Sequence, residues 1–155
     1  MATTSSSARA VIVSRLSLVK TADLSFGAVL PSAAAGTVTV SPTGARSTTG
    51  GVTAAGSAVS AAQFAGYGYN GGLLLISVNA TAPVLTRTGG TQTMTYDTFV
   101  ISSTPTVTLS TAGQLFMLGS TSGMFQFGVG ATLRVKANQA AGRYAGSFAV
   151  TVIYQ

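Results

Sequence analysis

Two carboxylates, Asp23 and Asp97, are all the acid this 155-residue chain carries, and Glu, His, Cys and Trp are absent. Acid–base work on a glycosidic bond needs two carboxyl groups held about 5–10 Å apart, and only one such pairing is available. Ser–His and Cys–His nucleophiles, zinc centres and His-based proton transfer each lack an essential residue. A Ser–Lys dyad is open in principle through Lys20 or Lys136, yet serines are abundant and no motif singles one out. The inventory reads as a protein that is not an enzyme, with no cofactor and no metal centre.

The cations are Arg9, Arg15, Lys20, Arg46, Arg87, Arg134, Lys136 and Arg143, giving a net charge of +6. They are scattered singly, whereas a nucleic-acid interface clusters its bases or interleaves them with aromatics. Only Arg134, Lys136 and Arg143 come near one another. Charged residues make up 6% of the chain, against about 25% in an ordinary soluble domain. Eight cations on so uncharged a surface read as a guard against precipitation, with no nucleic-acid partner.

The elements that must position these residues follow a period of two. ARAVIVSRLSLVK, GTVTV, TQTMTYDTFVIS and RYAGSFAVTVIYQ alternate, and Gly, Pro and Asn punctuate them every ten to fifteen residues. Asn70-Gly71-Gly72 is a tight-turn signal after the aromatic stretch AGYGY. The run Leu73–Ile76 is the longest apolar one, suited to a buried strand and far short of a membrane span. MFQFGVGATLRV is expected to split at Gly128 and Gly130. One all-β domain over 1–155, a β-sandwich, accounts for this spacing.

The final segment is the best strand in the chain. Tyr144, Phe148, Val150, Val152 and Tyr154 fall on one face, with only Gly146 lacking a side chain, and the expected strand covers 144–154 with Phe148, Val150 and Val152 in the core. An apolar strand placed last in a sheet needs a neighbour, since an open edge is an aggregation hazard.

Three stretches, KTADLSFG (20–27), VGATLRVKANQAAGRYAGSF (129–148) and the ending VTVIYQ, resemble the DUF4402 family of secreted proteins. The C-terminal half of that family is similar to pilin subunits of chaperone–usher pathways, including the spore-coat-U-like archaic ones. Such pilins often end in an alternating strand with a penultimate Tyr and a Gly near fourteenth from the end, here Tyr154 and Gly142. Many also carry a disulfide near the first strand, and this chain has no cysteine.

The resemblance implies an immunoglobulin-like, pilin-like sandwich completed by a donor strand from a neighbouring subunit. Its N-terminal extension, 1–13, is the candidate donor. The donor face is expected to run through Ala8, Ala10, Ile12, Leu16 and Leu18, and the acceptor strand through Phe148, Val150, Val152 and Tyr154. Eleven residues at about 3.3 Å each span roughly 36 Å, the length of the terminal strand.

The function implied is a structural subunit of an extracellular bacterial pilus or surface fibre, polymerising head-to-tail in its mature form after signal-peptide removal. Its partners would be other copies of itself, with a periplasmic chaperone and an outer-membrane usher during assembly. The alternative is a self-contained secreted module binding a carbohydrate or a surface through AGYGYNGG, although Tyr67 and Tyr69 read first as core or turn-flanking residues. A virion structural protein is the third reading.

Overall fold

Alternating runs broken by turn residues fold into antiparallel strands, and the computed structural model describes all 155 residues. In chain order the first seven strands are β1 (Ser17–Ala22), β2 (Ala28–Leu30), β3 (Gly36–Val40), β4 (Arg46–Gly50), β5 (Thr53–Ala55), β6 (Ala62–Tyr67) and β7 (Leu73–Val78). The second seven are β8 (Val84–Arg87), β9 (Thr93–Ile101), β10 (Val107–Thr108), β11 (Gln114–Met117), β12 (Met124–Val135), β13 (Tyr144–Ala145) and β14 (Val150–Tyr154). The chain has no helix, hence none long and apolar enough to cross a membrane.

The large sheet runs in the order β1-β6-β12-β9-β8-β13, with β10 added to β9 and the β3–β4 hairpin joined to β12. A small sheet, β11-β7-β14, packs across it, and β2–β5 form a separate ribbon. Inward side chains of both sheets merge into one core of 19 buried residues, from Val129, Leu133 and Phe99 on one side to Ile76 and Val78 on the other. The protein is an all-β sandwich.

β12 is the spine. It is unbroken over twelve residues, where the two glycines predicted a split. Its first half pairs with β6 and its second half with β3, both on one side, while β9 takes the other. Glycine is needed where the neighbour changes: a Cβ at Gly128 would lie 2.1 Å from the Pro42 carbonyl oxygen, and one at Gly130 2.0 Å from that of Val40. The glycines therefore permit close approach and do not end the strand. From Phe127 onward every second side chain of β12, through Val135, is buried.

β9 changes phase once. Its register with β12 slips between Asp97 and Val100, and Thr98 sits at φ 55°. One extra residue in the strand lets Met94 and Tyr96, then Phe99 and Ile101, all face inward, the use to which β-bulges are commonly put. Tyr96 and Phe99 meet edge to face at 5.8 Å, and Phe26 adds a second edge contact to Tyr96 at 6.1 Å.

Arg46 is not a surface solubiliser. Its guanidinium donates to the carbonyl oxygens of Phe26, Ala28, Ala55 and Gly56, at 2.7–3.2 Å. It thereby ties the β2–β5 ribbon to the β3–β4 hairpin. Arg46→Met keeps the stem and removes every donor. Because hydrogen bonds from a charged group contribute about 1.5–3 kcal/mol each when their partners have no substitute, the variant should unfold with a stability lower by about 2–4 kcal/mol, read from the denaturant midpoint in urea.

Candidate functional site: the open edge of the small sheet

β14 is hydrogen-bonded on one side only, to β7. The Gln155 N–H donates to the Leu73 carbonyl at 2.9 Å, and the Asn79 N–H to that of Ala149 at 3.0 Å. In an antiparallel ladder these exchanges recur at alternate residues, so Thr151 and Ile153 point their backbone groups at β7. Those of Val150, Val152 and Tyr154 point to the free edge.

The side chains agree with an unfinished sheet. Val150, Val152 and Tyr154 face inward and are half-buried, and Val150 and Val152 pack against the core. Full burial was expected of Phe148, Val150 and Val152; each is short of it. For Val150 and Val152 the reason is that no strand lies beside β14 to cover the outer half of their surface.

The terminal alternation is also not one strand. Tyr144 and Ala145 pair with β8 in the large sheet, residues 146–149 cross over, and β14 then joins the small sheet. Gly146 permits the crossing, because a Cβ there would lie 2.3 Å from the Val84 carbonyl oxygen. Phe148 sits in the crossover, its ring 4.8 Å from that of Phe99 and 6.2 Å from that of Tyr96. Asn79 Oδ1 accepts the Ala149 N–H and sets where β14 begins.

The N-terminal residues divide in two. Leu18 belongs to β1, opposite Gly66 of β6, and packs against the core; Leu16 is half-buried just before it. Both therefore serve their own domain. Residues 1–16 form no strand, and Ala8, Ala10 and Ile12 are exposed, Ile12 to 94%. Val11 and Val13 are exposed as well.

Tyr154 joins the two regions. Its Oη accepts the Tyr69 N–H at 2.6 Å and donates to the Ser14 carbonyl at 2.9 Å. The same ring end lies over Gly68, beside Leu16 and Leu118. The root of the arm is thus fixed at the C-terminal end of β14. Alternation alone marks Tyr154 as one more inward residue, and the backbone partners of its hydroxyl are a tertiary fact. Tyr67 and Tyr69 flank the turn at Asn70 and Gly71 and are exposed.

The two carboxylates take separate cations. Asp23 pairs with Lys20. Asp97 receives Arg134 in bidentate fashion, Nη2 to Oδ1 at 2.9 Å and Nε to Oδ2 at 3.1 Å. That hydrogen bonding holds the Asp97 carboxyl below its ordinary pKa, with Thr98 Oγ1 adding a smaller push in the same direction. Asp97 lies on β9, whereas Asp23 follows β1 at the sheet edge, with β6 and β12 between.

The profile of the family described as a domain of unknown function (DUF4402) matches residues 16–154, and the chain belongs to that family. No curated protein matches it. No solved structure does so either.

Two outcomes follow from the geometry. Tyr154→Phe removes the bonds to Ser14 and Tyr69, so tryptic cleavage after Arg15 should speed up severalfold while cleavage after Arg9 is unchanged, read by mass spectrometry of timed digests. For Asp97, the folded pKa is the depressed one, so its contribution is complete above the unfolded value near 4 and disappears as pH falls through the lower folded value. With side-chain exposures of 26% for Asp97 and 52% for Arg134, that contribution should stay below about 1 kcal/mol. Acid unfolding of Asp97→Asn, compared with wild type, measures it.

Proposed function

We propose that this member of the DUF4402 family is a structural subunit of an extracellular bacterial surface fibre, polymerised head-to-tail by strand donation. The arm of one copy, with Ala8, Ala10 and Ile12 inward, would lie along β14 of the next. The observation that carries this reading is the open edge of β14 above a half-buried apolar face. An open sheet edge is the surface that binds an extended peptide by strand addition. The resemblance to pilins adds a periplasmic chaperone and an outer-membrane usher as proposed assembly partners.

The energies are of the right size. Ile12 would contribute about 1.5–3 kcal/mol on burial, and each Ala methyl about 0.8 kcal/mol. Backbone bonds to Val150, Val152 and Tyr154 would add about 0.5–1.5 kcal/mol each. Against a typical domain stability of about 5–15 kcal/mol, a subunit without its added strand would fold but remain markedly less stable than the assembled one. Donor arm and acceptor edge are different segments of the chain, so donation in one direction would leave a free arm and a free β14 edge for the next copies.

Ile12→Asp should stop assembly by placing a charge against the half-buried apolar face of β14, while leaving β1 and the core intact. Size-exclusion chromatography of the variant should give monomer where wild type gives a ladder, and a synthetic peptide of residues 8–18 should raise its melting temperature. A wild-type chain that stays monomeric at high concentration, with a melting temperature indifferent to that peptide, would favour the self-contained binding module. Its exposed Tyr67 and Tyr69 would then be the surface to test.

A further inference from the structure

The arm is tied down at one point, and that point lies at the edge it could cover. Tyr154 Oη donates to the Ser14 carbonyl at 2.9 Å, and Leu16 follows beside the same ring end, over Gly68. Before Ser14 the chain stands off the domain: it forms no strand, and Ile12 is 94% exposed. Val11 and Val13 beside it are exposed as well. The apolar run Ala10–Val13 thus hangs in water from a fixed root.

The root sets an alignment. Ser14 and Tyr154 are 140 residues apart, and stepping back two residues at a time along both segments brings Ile12 level with Val152 and Ala10 level with Val150. The phase agrees independently. Leu18 packs against the core and Leu16 is half-buried, and the period of two continues through Ser14 to Ile12 and Ala10. Val150, Val152 and Tyr154 offer half-buried side chains and an edge with no strand beside it. Residues 10–14 match β14 in length.

We infer that residues 10–14 act as a strap that closes over the chain's own β14 edge, so that a lone copy shields the surface it would offer to another. The contact needs one chain only; its meaning as a brake on assembly rests on the fibre reading above. A segment tethered a few residues from its site is present there at an effective concentration on the order of millimolar. An arm from another copy is present only at the concentration of the protein itself. In dilute solution the chain's own arm therefore occupies the edge. With Ile12 and Ala10 as its only inward apolar side chains, the strap buries little, and segments with few buried contacts open readily. The exposed arm of the structure is that open state.

Hydrogen exchange followed residue by residue in NMR spectra tests the strap. In wild type dilute enough to be monomeric, the Val150, Val152 and Tyr154 amides should exchange at least about tenfold more slowly than in Ile12→Asp, and dilution should leave that difference unchanged. Ile12→Val should keep the protection. A fluorescent peptide of residues 8–18 should bind Ile12→Asp about tenfold more tightly than wild type, because only the open fraction of wild type can take it. Equal exchange in the two chains, or equal affinity for the peptide, overturns the strap. Protection that fades on dilution also overturns it, since another copy then covers the edge, and leaves the fibre reading standing. Protection that persists in a chain forming no ladder at any concentration supports the strap and removes the fibre reading.

Discussion

Every strand has backbone donors and acceptors on both edges, and β12 is where this protein meets that requirement most fully. Its twelve residues take β6, β3 and β9 as neighbours, and two glycines let the carbonyls of Val40 and Pro42 come close as one partner gives way to another. The large sheet is built around that strand. The small sheet has no equivalent, since its central strand β7 has one neighbour on each side and the sheet stops there. Its outer strands are left with unused hydrogen-bonding capacity.

Charge plays little part in the core and a local part at the surface. Both carboxylates are neutralised by their own cations, and Arg46 is occupied by carbonyl groups. What remains is a net charge of +6 carried by scattered cations, none of them on β7, β11 or β14. In an ordinary domain, edge strands are protected by lysines or inward charges; β14 has neither. An apolar edge left open in this way is a liability for a chain that stays alone.

Much of this was legible in the sequence. Alternation and turn residues indicated an all-β sandwich, and the strong terminal alternation pointed to β14. Burial phase within β9 was not legible, because the bulge at Thr98 reveals itself only through its partner strand. Gly128 and Gly130 predicted a break because local rules count a missing side chain as a weakness, whereas here a neighbour's backbone occupies the space. The run 144–154 looked like one strand because side-chain period is preserved even where the chain leaves one sheet for another. Arg46 and the Tyr154 hydroxyl were beyond reach for a related reason: their partners are backbone carbonyls and an amide, which every residue has and no pattern distinguishes.

The hydrogen bond from Tyr154 to Ser14 has a directional meaning. It anchors the arm at the end of β14 where that strand finishes, so an arm folding back onto its own domain from Ser14 would travel beside β14 in the same N-to-C sense, as a parallel neighbour. An arm arriving from another molecule has no such tether and is free to run the opposite way. Antiparallel pairing is the slightly more stable of the two per residue. A single tyrosine hydroxyl thus makes capping of β14 by the chain's own arm and capping by another strand chemically unequal, with the handicap falling on the chain's own arm.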